Sequence, residues 1–340
     1  MTRFLCNMVS KNVTLTVLAL LLALGCRESR TNKPRFAFVT NGVASFWLIA
    51  AAGAKAAADE SGVDVTIVMP DGLTDQTRKL EDLLTRGTDG IAVSPINPDN
   101  QIDILNKVAS ETNLLTHDSD APGCNRLAYV GMDNYEAGLM CGQLVREALP
   151  EGGDVMLFIG RLDQDNAQFR RQGCIDAILG REPDSARRDP PGATLSSEDG
   201  KYQVLGTQTD RFDRAKAKAN VEDTLVRYPD ISAMVGLFVY NPPAILEALR
   251  RAGKVGDVKV IGFDEGEVTL QAIQDGEVVG TVVQDPFQYG YLSIKLLTGL
   301  QRGDRSVLPP SGYIDVPPRV ITQENLESFW SSLKQQLAAE

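Results

Sequence analysis

Short apolar segments alternate with longer segments of helical periodicity along most of this chain. In the first half, β-rich apolar runs predict strands, and apolar residues recurring every three or four positions predict the helices between them. Such alternation is typical of βαβ units on a parallel sheet, and the nearly all-apolar strands indicate a sheet covered on both faces. The predicted strands are 35–40, 63–69, 90–94 and 114–116, and the predicted helices are 46–61, 74–86 and 99–110.

The same alternation begins again in the second half of the chain. Two similar blocks predict an α/β protein with two doubly wound parallel sheets and a cleft between them. The segment 181–201 has no apolar period, and we expect a long, mobile surface loop there, with a lid or a docking loop as the alternative. The strands of this block are predicted at 154–159, 202–207, 233–235, 258–263 and 279–283, and its helices at 166–179, 213–228, 242–251, 267–274 and 286–300.

The start of the chain has the composition of an export signal. Arg3 and Lys11 supply a short basic region, and an apolar run follows at 13–24. This run is shorter than the roughly 20 residues that a membrane-spanning helix needs. Small residues come next, in the order that a signal peptide has.

Cys26 directly follows Gly25, an arrangement that resembles the cleavage site of bacterial lipoproteins. Ala23 departs from that pattern, which prefers leucine at this position, so an ordinary secretory signal is the alternative. We expect a signal peptide at 1–25 and a lipidated tether at 26–33. The mature protein is then periplasmic or otherwise extracytoplasmic, and a lipid on Cys26 anchors it to the membrane.

Length, charge and cysteines narrow the class of protein further. The 340 residues exceed what one hydrophobic core usually holds, which favours two domains. The net charge of −11 comes from acidic residues spread along the chain, so nucleic acid is not an expected partner. Cys124, Cys141 and Cys174 lack metal-ligand spacing; we expect buried thiols, although one pair could form a disulfide. His117, the only histidine, has no partner for a metal site or a catalytic triad, so no cofactor or metal is expected.

Polar and aromatic residues follow the predicted strands of both blocks, where open parallel sheets bind their ligands. Carboxylates, amides and an arginine can pair with every hydroxyl of a sugar, and aromatic rings can stack on its C–H face. Each residue alone could be a core residue, a helix cap or half of an ion pair, but their shared placement favours a sugar site. The candidate ligand-binding residues are Thr40, Asn41, Phe46, Trp47, Asp118, Ser119, Asp120, Arg170, Phe212, Tyr240, Asn241, Phe263, Asp264 and Gln284.

Several longer segments resemble the type I periplasmic binding proteins of the ribose/galactose group. The resemblance covers about 35–325 and is nearest to the thermophilic glucose-binding branch, which shares the YN-x-PA turn and the GYLS helix. The segments are RGTDGIAVSPINP (86–98), YVGMDNYEAG (129–138), RRQGCIDAI (170–178), VYNPPAILEALRRAGKVGDVKVIGFDE (239–265) and GTVVQDPFQYGYLSIKLL (280–297).

The resemblance implies a role for many of the candidate residues. Phe46 and Trp47 match the aromatic pair that sandwiches the sugar from one lobe, and Phe212 matches an aromatic residue of the other lobe. Asp118 matches a carboxylate that binds sugar hydroxyls. The polar ligands of the second lobe and the hinge are matched by Arg170, Asn241, Asp264 and Gln284.

Three departures from the ribose binders bear on the ligand. Ser119 stands where they carry an arginine, Ala44 stands where they carry an asparagine, and the segment 181–201 is longer. Because a buried polar group left unpaired penalises the wrong ligand, these changes predict a different hydroxyl pattern or a larger ligand. A glucose-like hexose is favoured over ribose.

The resemblance also implies a hinge that the chain crosses three times, near Met132, near 284–285 and near Tyr313. Closure of the two lobes around the ligand is then a hinge motion. The expected lobes are 34–132 with 285–312, and 133–284 with 313–340.

A monomeric sugar-binding protein without catalytic activity is the function that these features favour. It would deliver its ligand to an ABC transporter permease or, as the alternative, report it to a membrane sensor. A glycosidase could use a pair of cleft carboxylates, but no nucleophile motif, phosphate loop or metal cluster accompanies them. A transcription regulator of the same fold would need a basic helix-turn-helix of roughly 50–60 residues before the first strand, where this chain has a signal-like segment.

Overall fold

The computed structural model describes residues 33–338, with side chains as far as residue 336. The predicted signal peptide and the predicted lipidation site at Cys26 lie outside the described residues. Within that range, two separate β-sheets are flanked by ten α-helices, of which none is long and apolar enough to cross a membrane.

The first sheet has six strands, and all of its pairings are parallel. Five strands come from the first part of the chain, and the sixth comes from near its end. They are β1 (Arg35–Val39), β2 (Asp64–Val68), β3 (Gly90–Val93), β4 (Asn113–His117), β5 (Ala128–Gly131) and β12 (Tyr313–Asp315), in the order β12-β5-β4-β3-β1-β2.

The second sheet has seven strands, with parallel pairing in the centre and an antiparallel strand at each edge. The strands are β6 (Gly153–Ile159), β7 (Leu195–Ser196), β8 (Tyr202–Thr209), β9 (Ala233–Gly236), β10 (Lys259–Phe263), β11 (Gly280–Val283) and β13 (Arg319–Ile321), in the order β13-β11-β10-β9-β6-β8-β7. The predicted fold class, α/β with two doubly wound parallel sheets, is confirmed.

The helices alternate with the strands, and eight of the ten described helices correspond to helices that the sequence predicts. They are α1 (Ser45–Ser61), α2 (Leu73–Thr85), α3 (Pro98–Glu111), α4 (Asn134–Ala148), α5 (Asp165–Leu179), α6 (Arg214–Arg227), α7 (Asn241–Ala252), α8 (Glu267–Gln274), α9 (Pro286–Gln301) and α10 (Leu326–Ala338), with a short 3₁₀ turn at Arg305–Val307.

Each sheet is buried on both faces. In β1, Phe36 and Phe38 join one apolar cluster, whereas Ala37 and Val39 join another on the opposite face. Successive strand residues point to opposite faces, so both faces of a strand must be apolar when helices cover the two sides. This explains why the strands are almost continuously apolar in the sequence.

The chain passes between the sheets at three places. It leaves the first sheet after β5 and returns between β11 and α9, a helix that packs against α1. The third passage lies between β12 and β13. Here the predicted boundary at Tyr313 is wrong by a few residues, because Tyr313 pairs with Tyr129 of β5 and its strand therefore belongs to the first sheet.

The apolar pattern does not predict α4, whose two glycines weaken its helical signal. The structure shows what these glycines permit. A side chain at Gly138 would collide with the carbonyl oxygen of Arg170, and one at Gly142 would collide with that of Cys174. The backbones of α4 and α5 are thus in direct contact, and this contact sets the position of Arg170.

Within residues 33–336, the thiols of Cys124, Cys141 and Cys174 are buried and free, so no two of them form a disulfide. Burial raises the pKa of Cys141 to about 12. Such a thiol is inert at neutral pH, and these cysteines behave as small apolar core residues.

Candidate functional site

Asp118 directly follows β4 at the carboxyl end of the first sheet. Its φ of 58° is uncommon for a residue other than glycine, and the Tyr129 hydroxyl stabilises the conformation by donating to the Asp118 carbonyl oxygen at 2.8 Å. The carboxyl oxygen Oδ2 accepts hydrogen bonds from Ser94 Oγ at 2.9 Å and Asn41 Nδ2 at 3.2 Å. Among the described residues, nothing donates to Oδ1, so this oxygen is available to a ligand.

Arg170 projects from α5 and exposes only 2% of its surface. Its Nη1 donates to the carbonyl oxygen of Leu237 at 2.8 Å, and its Nη2 donates to Asn134 Oδ1 at 2.9 Å. The guanidinium carbon lies 3.7 Å from the centre of the Phe263 ring. The buried Nε has no partner within the described part of the chain, and it is therefore a donor that a bound ligand could satisfy.

Asp264 follows β10 of the second sheet, again with a positive φ, 67°. Its Oδ2 accepts from the backbone N–H of Val239 at 3.1 Å, and its Oδ1 accepts from Gln284 Nε2 at 2.7 Å. Gln284 is itself oriented by the Tyr289 hydroxyl, which donates to Oε1 at 3.1 Å. Since Gln284 lies at the passage between the sheets and Tyr289 lies on α9, this chain of bonds connects the second sheet to a helix that packs on the first.

The charges of Asp118, Arg170 and Asp264 act on one another, although Asp118 follows a strand of the first sheet and Asp264 follows a strand of the second. Burial raises the pKa of Asp118 to about 6, while the Ser94 hydrogen bond and the Arg170 charge act in the opposite direction. The negative charge of Asp264 raises the pKa of Asp118 further. Burial also raises the pKa of Asp264 itself, against the effects of Arg170 and Gln284. Asp118, Arg170 and Asp264, whose charges affect one another, are therefore the centre of the candidate site.

Asn241 and Tyr240 both donate hydrogen bonds to a buried carboxylate, that of Asp210. Asn241 Nδ2 donates to Asp210 Oδ2 at 3.0 Å, and the Tyr240 hydroxyl donates to Oδ1. The other amide atom of Asn241, Oδ1, accepts from the backbone N–H of Phe238 at 3.1 Å. These two predicted ligand residues thus shape the loop after β9, with much of their hydrogen-bonding capacity already used.

Aromatic rings lie on both sides of the site. On the second sheet's side, Phe212 is 46% exposed and contacts Phe238 edge-on, with ring centres 5.7 Å apart. On the first sheet's side, Phe46 is half-buried and contacts Trp47 edge-on at 4.8 Å. Trp47 is 4% exposed and belongs to the core of the first sheet, so Phe46 presents more ring surface. Phe263 is fully buried, and its ring face packs against the Arg170 guanidinium.

The remaining candidates are polar residues with mainly structural partners. Thr40 is fully buried, and its hydroxyl donates to the Gly42 carbonyl oxygen at 2.7 Å. Asp120 forms an ion pair with Arg126 through both of its carboxyl oxygens. Ser119 is 3% exposed, and its backbone N–H donates to Ser94 Oγ at 3.4 Å. The structure therefore brings Asn41 and Asp118 together, whereas Asp120 is paired with Arg126.

Five residues of this site are absent from the predicted set: Ser94, Asn134, Asp210, Phe238 and Tyr289. Two of them carried a usable signal, because Ser94 directly follows β3 and Asp210 directly follows β8, where strand-end residues are expected. Asn134 and Tyr289 lie on helices beyond the passages between the sheets. Nothing in their local sequence pattern connects them to the site.

Two α/β sheets joined by three passages, with polar groups at their carboxyl ends, define a two-lobed binding protein. The sequence model of the family described as "periplasmic binding protein domain" matches residues 36–305. The chain belongs to this family, and the resemblance found in the sequence is confirmed.

Individual relatives are distant but cover most of the chain. The ribose import binding protein of Salmonella typhimurium is 25% identical over 259 residues, 74% of this chain and 79% of that protein. The D-ribose/D-allose-binding protein of Pseudomonas aeruginosa is 23% identical over 325 residues, 91% of this chain and 96% of that protein. Among solved structures, an ABC transporter solute-binding protein of Burkholderia graminis in complex with D-arabinose superposes with a TM-score of 0.76 at 26% identity, covering 86% of this chain and 96% of that one.

Proposed function

We propose that this protein binds a monosaccharide between its two sheets and passes it, chemically unchanged, to an ABC transporter permease. The observation that carries the proposal is the group formed by Asp118, Arg170 and Asp264, three buried side chains from both sheets whose charges act on one another. A neutral polyhydroxylated ligand suits this group, because each hydroxyl can donate to a carboxylate and accept from the guanidinium.

The charges disfavour other classes of small ligand. An anion would meet two carboxylates against one arginine, and a cation would meet the arginine directly. Among the described residues, the Nε of Arg170 and the Oδ1 of Asp118 have no hydrogen-bond partner, so they could offer one donor and one acceptor to the same ligand. Neutral hydroxyl groups pair with both without bringing another buried charge.

Aromatic surface on both sides supports a sugar in particular. The half-buried Phe46 and the exposed Phe212 belong to opposite sheets and could stack on the two C–H faces of a pyranose ring. Phe212 is 46% exposed, so its ring has surface available for stacking. Closure of the two lobes, hinged at the three passages, would bury both rings against the ligand.

The names of the relatives agree with this ligand class. The proteins from Salmonella, Pseudomonas and Burkholderia are described as binding ribose, ribose or allose, and arabinose. Within this class we propose a glucose-like hexose, since Ser119 and Ala44 stand where ribose binders have an arginine and an asparagine. Two of the usual ribose contacts would then be missing.

A thermal-shift and calorimetry screen of the mature chain tests the proposal. The ligands are D-glucose, D-galactose, D-allose, D-ribose, D-arabinose, D-xylose and two open-chain polyols. Because a ligand that binds only the folded state raises Tm by mass action, we expect a concentration-dependent rise with a hexose and a smaller one with ribose. Nuclear magnetic resonance of the recovered sugar should show no new product. Failure of every sugar to shift Tm, with a shift from another class of solute, would refute the sugar assignment.

Export and anchoring complete the proposal. We propose that the signal peptide is removed before Cys26, and that acylation of this residue keeps the monomeric protein at the membrane. In cells, the wild-type chain should fractionate with membranes and incorporate labelled palmitate, whereas a Cys26→Ser variant should do neither. Equal fractionation of the two would point to an ordinary secretory signal instead.

A further inference from the structure

A cavity of about 400 Å³ opens beside Asp118. Its walls come from both sheets: Asp118, Arg126 and Tyr313 from the first, and Asn134 and Phe169 from the second. Ligand pockets in proteins usually enclose about 300–1,000 Å³, so the cavity is large enough to hold a small organic group.

This cavity shares two lining residues with the proposed monosaccharide site. Asp118 lines the cavity, and its Oδ1 is the carboxyl oxygen that no described residue occupies. Asn134 also lines it, while its Oδ1 accepts from Arg170. A ring bound by Asp118 and Arg170 would therefore have one edge at the opening of the cavity.

The lining combines aromatic and acidic groups. Tyr313 stacks on Tyr129 with ring centres 5.6 Å apart, and Phe169 is half-buried on the opposite wall. Among the described lining residues the acids are Asp118, Asp120, Asp133 and Asp165, and the single base, Arg126, is paired with Asp120. An anionic substituent would thus meet unpaired carboxylates, whereas a neutral hydroxylated ring would meet acceptors and apolar faces.

The segment 181–201 supplies the outer wall, through Ser185. The sequence predicts a mobile loop here, and a buried carboxylate on α5 forms hydrogen bonds that we expect to restrict it. Asp176 is fully buried and accepts hydrogen bonds from Arg187, which belongs to the segment, and from the Tyr135 hydroxyl at 2.8 Å. The same hydroxyl accepts from the backbone N–H of Asp184 at 2.7 Å.

Another arginine of this segment fixes the aromatic wall. The guanidinium carbon of Arg188 lies 4.7 Å from the centre of the Phe169 ring, and its Nε donates to Gln168 at 3.0 Å. Phe169 is thereby held between the segment and the cavity. A preorganised ring of this kind gives a ligand a stacking surface without an ordering penalty.

We propose that this cavity is a second sugar subsite, which takes the second ring of a neutral disaccharide whose first ring is bound by Asp118, Arg170 and Asp264. The inference rests on the proposed function and extends its ligand from a monosaccharide to glycosides of that monosaccharide. Phe169 is the stacking residue of the subsite, and the segment 181–201 is the wall that shapes it.

Calorimetric titration with matched ligands tests this subsite. The probes are the monosaccharide that binds in the first screen and two disaccharides carrying it as the nonreducing ring: maltose and cellobiose for D-glucose, or lactose and melibiose for D-galactose. Phenyl glycosides serve for a pentose. We expect at least one of these probes to bind within about tenfold of the monosaccharide Kd, which is a difference of about 1.4 kcal/mol.

Two variants separate the subsite from the first ring's site. Phe169→Ala should weaken disaccharide binding by about fivefold or more and leave monosaccharide binding unchanged, since one stacking contact is lost. Phe212→Ala is the matched control and should weaken both ligands by a similar factor. If Phe169→Ala does not fold, the Arg188→Ala variant serves instead. It should weaken disaccharide binding to a smaller extent and leave monosaccharide binding unchanged.

The outcomes distinguish the two proposals. Binding of the monosaccharide without any of its glycosides, or an equal effect of Phe169→Ala on both, overturns the second subsite and leaves the proposed function intact. Failure of every saccharide to bind overturns the proposed function itself.

Discussion

The Arg170 guanidinium carbon lies 3.7 Å from the centre of the Phe263 ring, on a residue that is itself fully buried. A cation held over an aromatic face gains electrostatic stabilisation that grows as water is excluded. The ring also covers one face of the guanidinium and thereby fixes the orientation of its plane, in which the N–H groups donate to Leu237 and Asn134. Phe263 is thus a positioning residue for Arg170.

Replacing Phe263 by leucine should remove this support. We expect the Phe263→Leu variant to lose about 0.5–3 kcal/mol of unfolding free energy, the range of most point substitutions, and to bind its sugar at least about tenfold more weakly. Denaturant unfolding and calorimetry measure the two effects. Phe36→Leu is a suitable control, because Phe36 is equally buried in the first sheet and belongs to its core. Equal sugar affinity in both variants would show that Phe263 only fills space.

Ligand affinity should depend on pH through Asp118. Burial raises the pKa of this carboxyl to about 6, with Arg170 and Asp264 as the charged groups that face it. A folded-state pKa above the unfolded value favours the unliganded fold at low pH, and that contribution is lost as the pH rises through 6.

Ligand affinity should change with pH in the opposite direction and increase as the pH rises. The ionised carboxylate is the stronger acceptor for sugar hydroxyls, so affinity should fall by up to about tenfold per pH unit below pH 6. Titrations between pH 7 and pH 5 measure this dependence, which should become shallower in an Asp118→Asn variant. A flat profile in the wild-type protein would mean that Asp118 does not accept from the ligand.

Glu265 is a buried carboxylate that should destabilise the protein at neutral pH. It is 8% exposed, and neither of its oxygens has a hydrogen-bond partner in the described part of the chain. Burial, followed by the charge of Asp264, raises its pKa well above 4.5. Its contribution to stability is therefore fully present below pH 4.5 and is lost as the pH rises toward the folded-state pKa.

The Glu265→Gln variant removes this titration and retains the shape of the side chain. We expect a higher Tm than that of the wild type at pH 7–8, with the difference vanishing near pH 4.5. Glu267→Gln, an exposed neighbour on α8, should leave Tm nearly unchanged at both pH values. A Tm difference that does not vary with pH would contradict this account.

A change in the contact between α4 and α5 should move Arg170 and so alter the binding site. A side chain at Gly173 would collide with the carbonyl oxygen of Tyr135, so Gly173→Ala must push α5 away from α4 and shift Arg170. We expect a loss of about 1–3 kcal/mol in unfolding free energy, as for other overpacked positions, together with weaker sugar binding. Gly192→Ala is the control, because nothing lies within 4 Å of the added methyl group. Unaltered stability and affinity in Gly173→Ala would show that the interface adapts without moving α5.

The sequence by itself determined the class of fold and much of the candidate site. The alternation of apolar strands and helices predicts two parallel sheets, because that periodicity is carried by residues close together in the chain. Asp118, Asp264 and Gln284 could be selected because they follow strands, and a parallel sheet gathers such positions at one edge. Ser94 and Asp210 could have been selected in the same way.

Only the tertiary structure decided which of these groups meet. Asn241 donates to Asp210, and the Phe263 ring packs against the Arg170 guanidinium, although the residues of each pair are far apart in the sequence. The same holds for α4, whose glycines weaken its helical signal and become favourable only against the backbone of α5. It holds also for the segment 181–201, which looks mobile in the sequence and is held by buried Asp176. Local patterns record how each residue fits its neighbours in the chain, whereas hydrogen-bond partners and close packing depend on which distant residues the fold brings together.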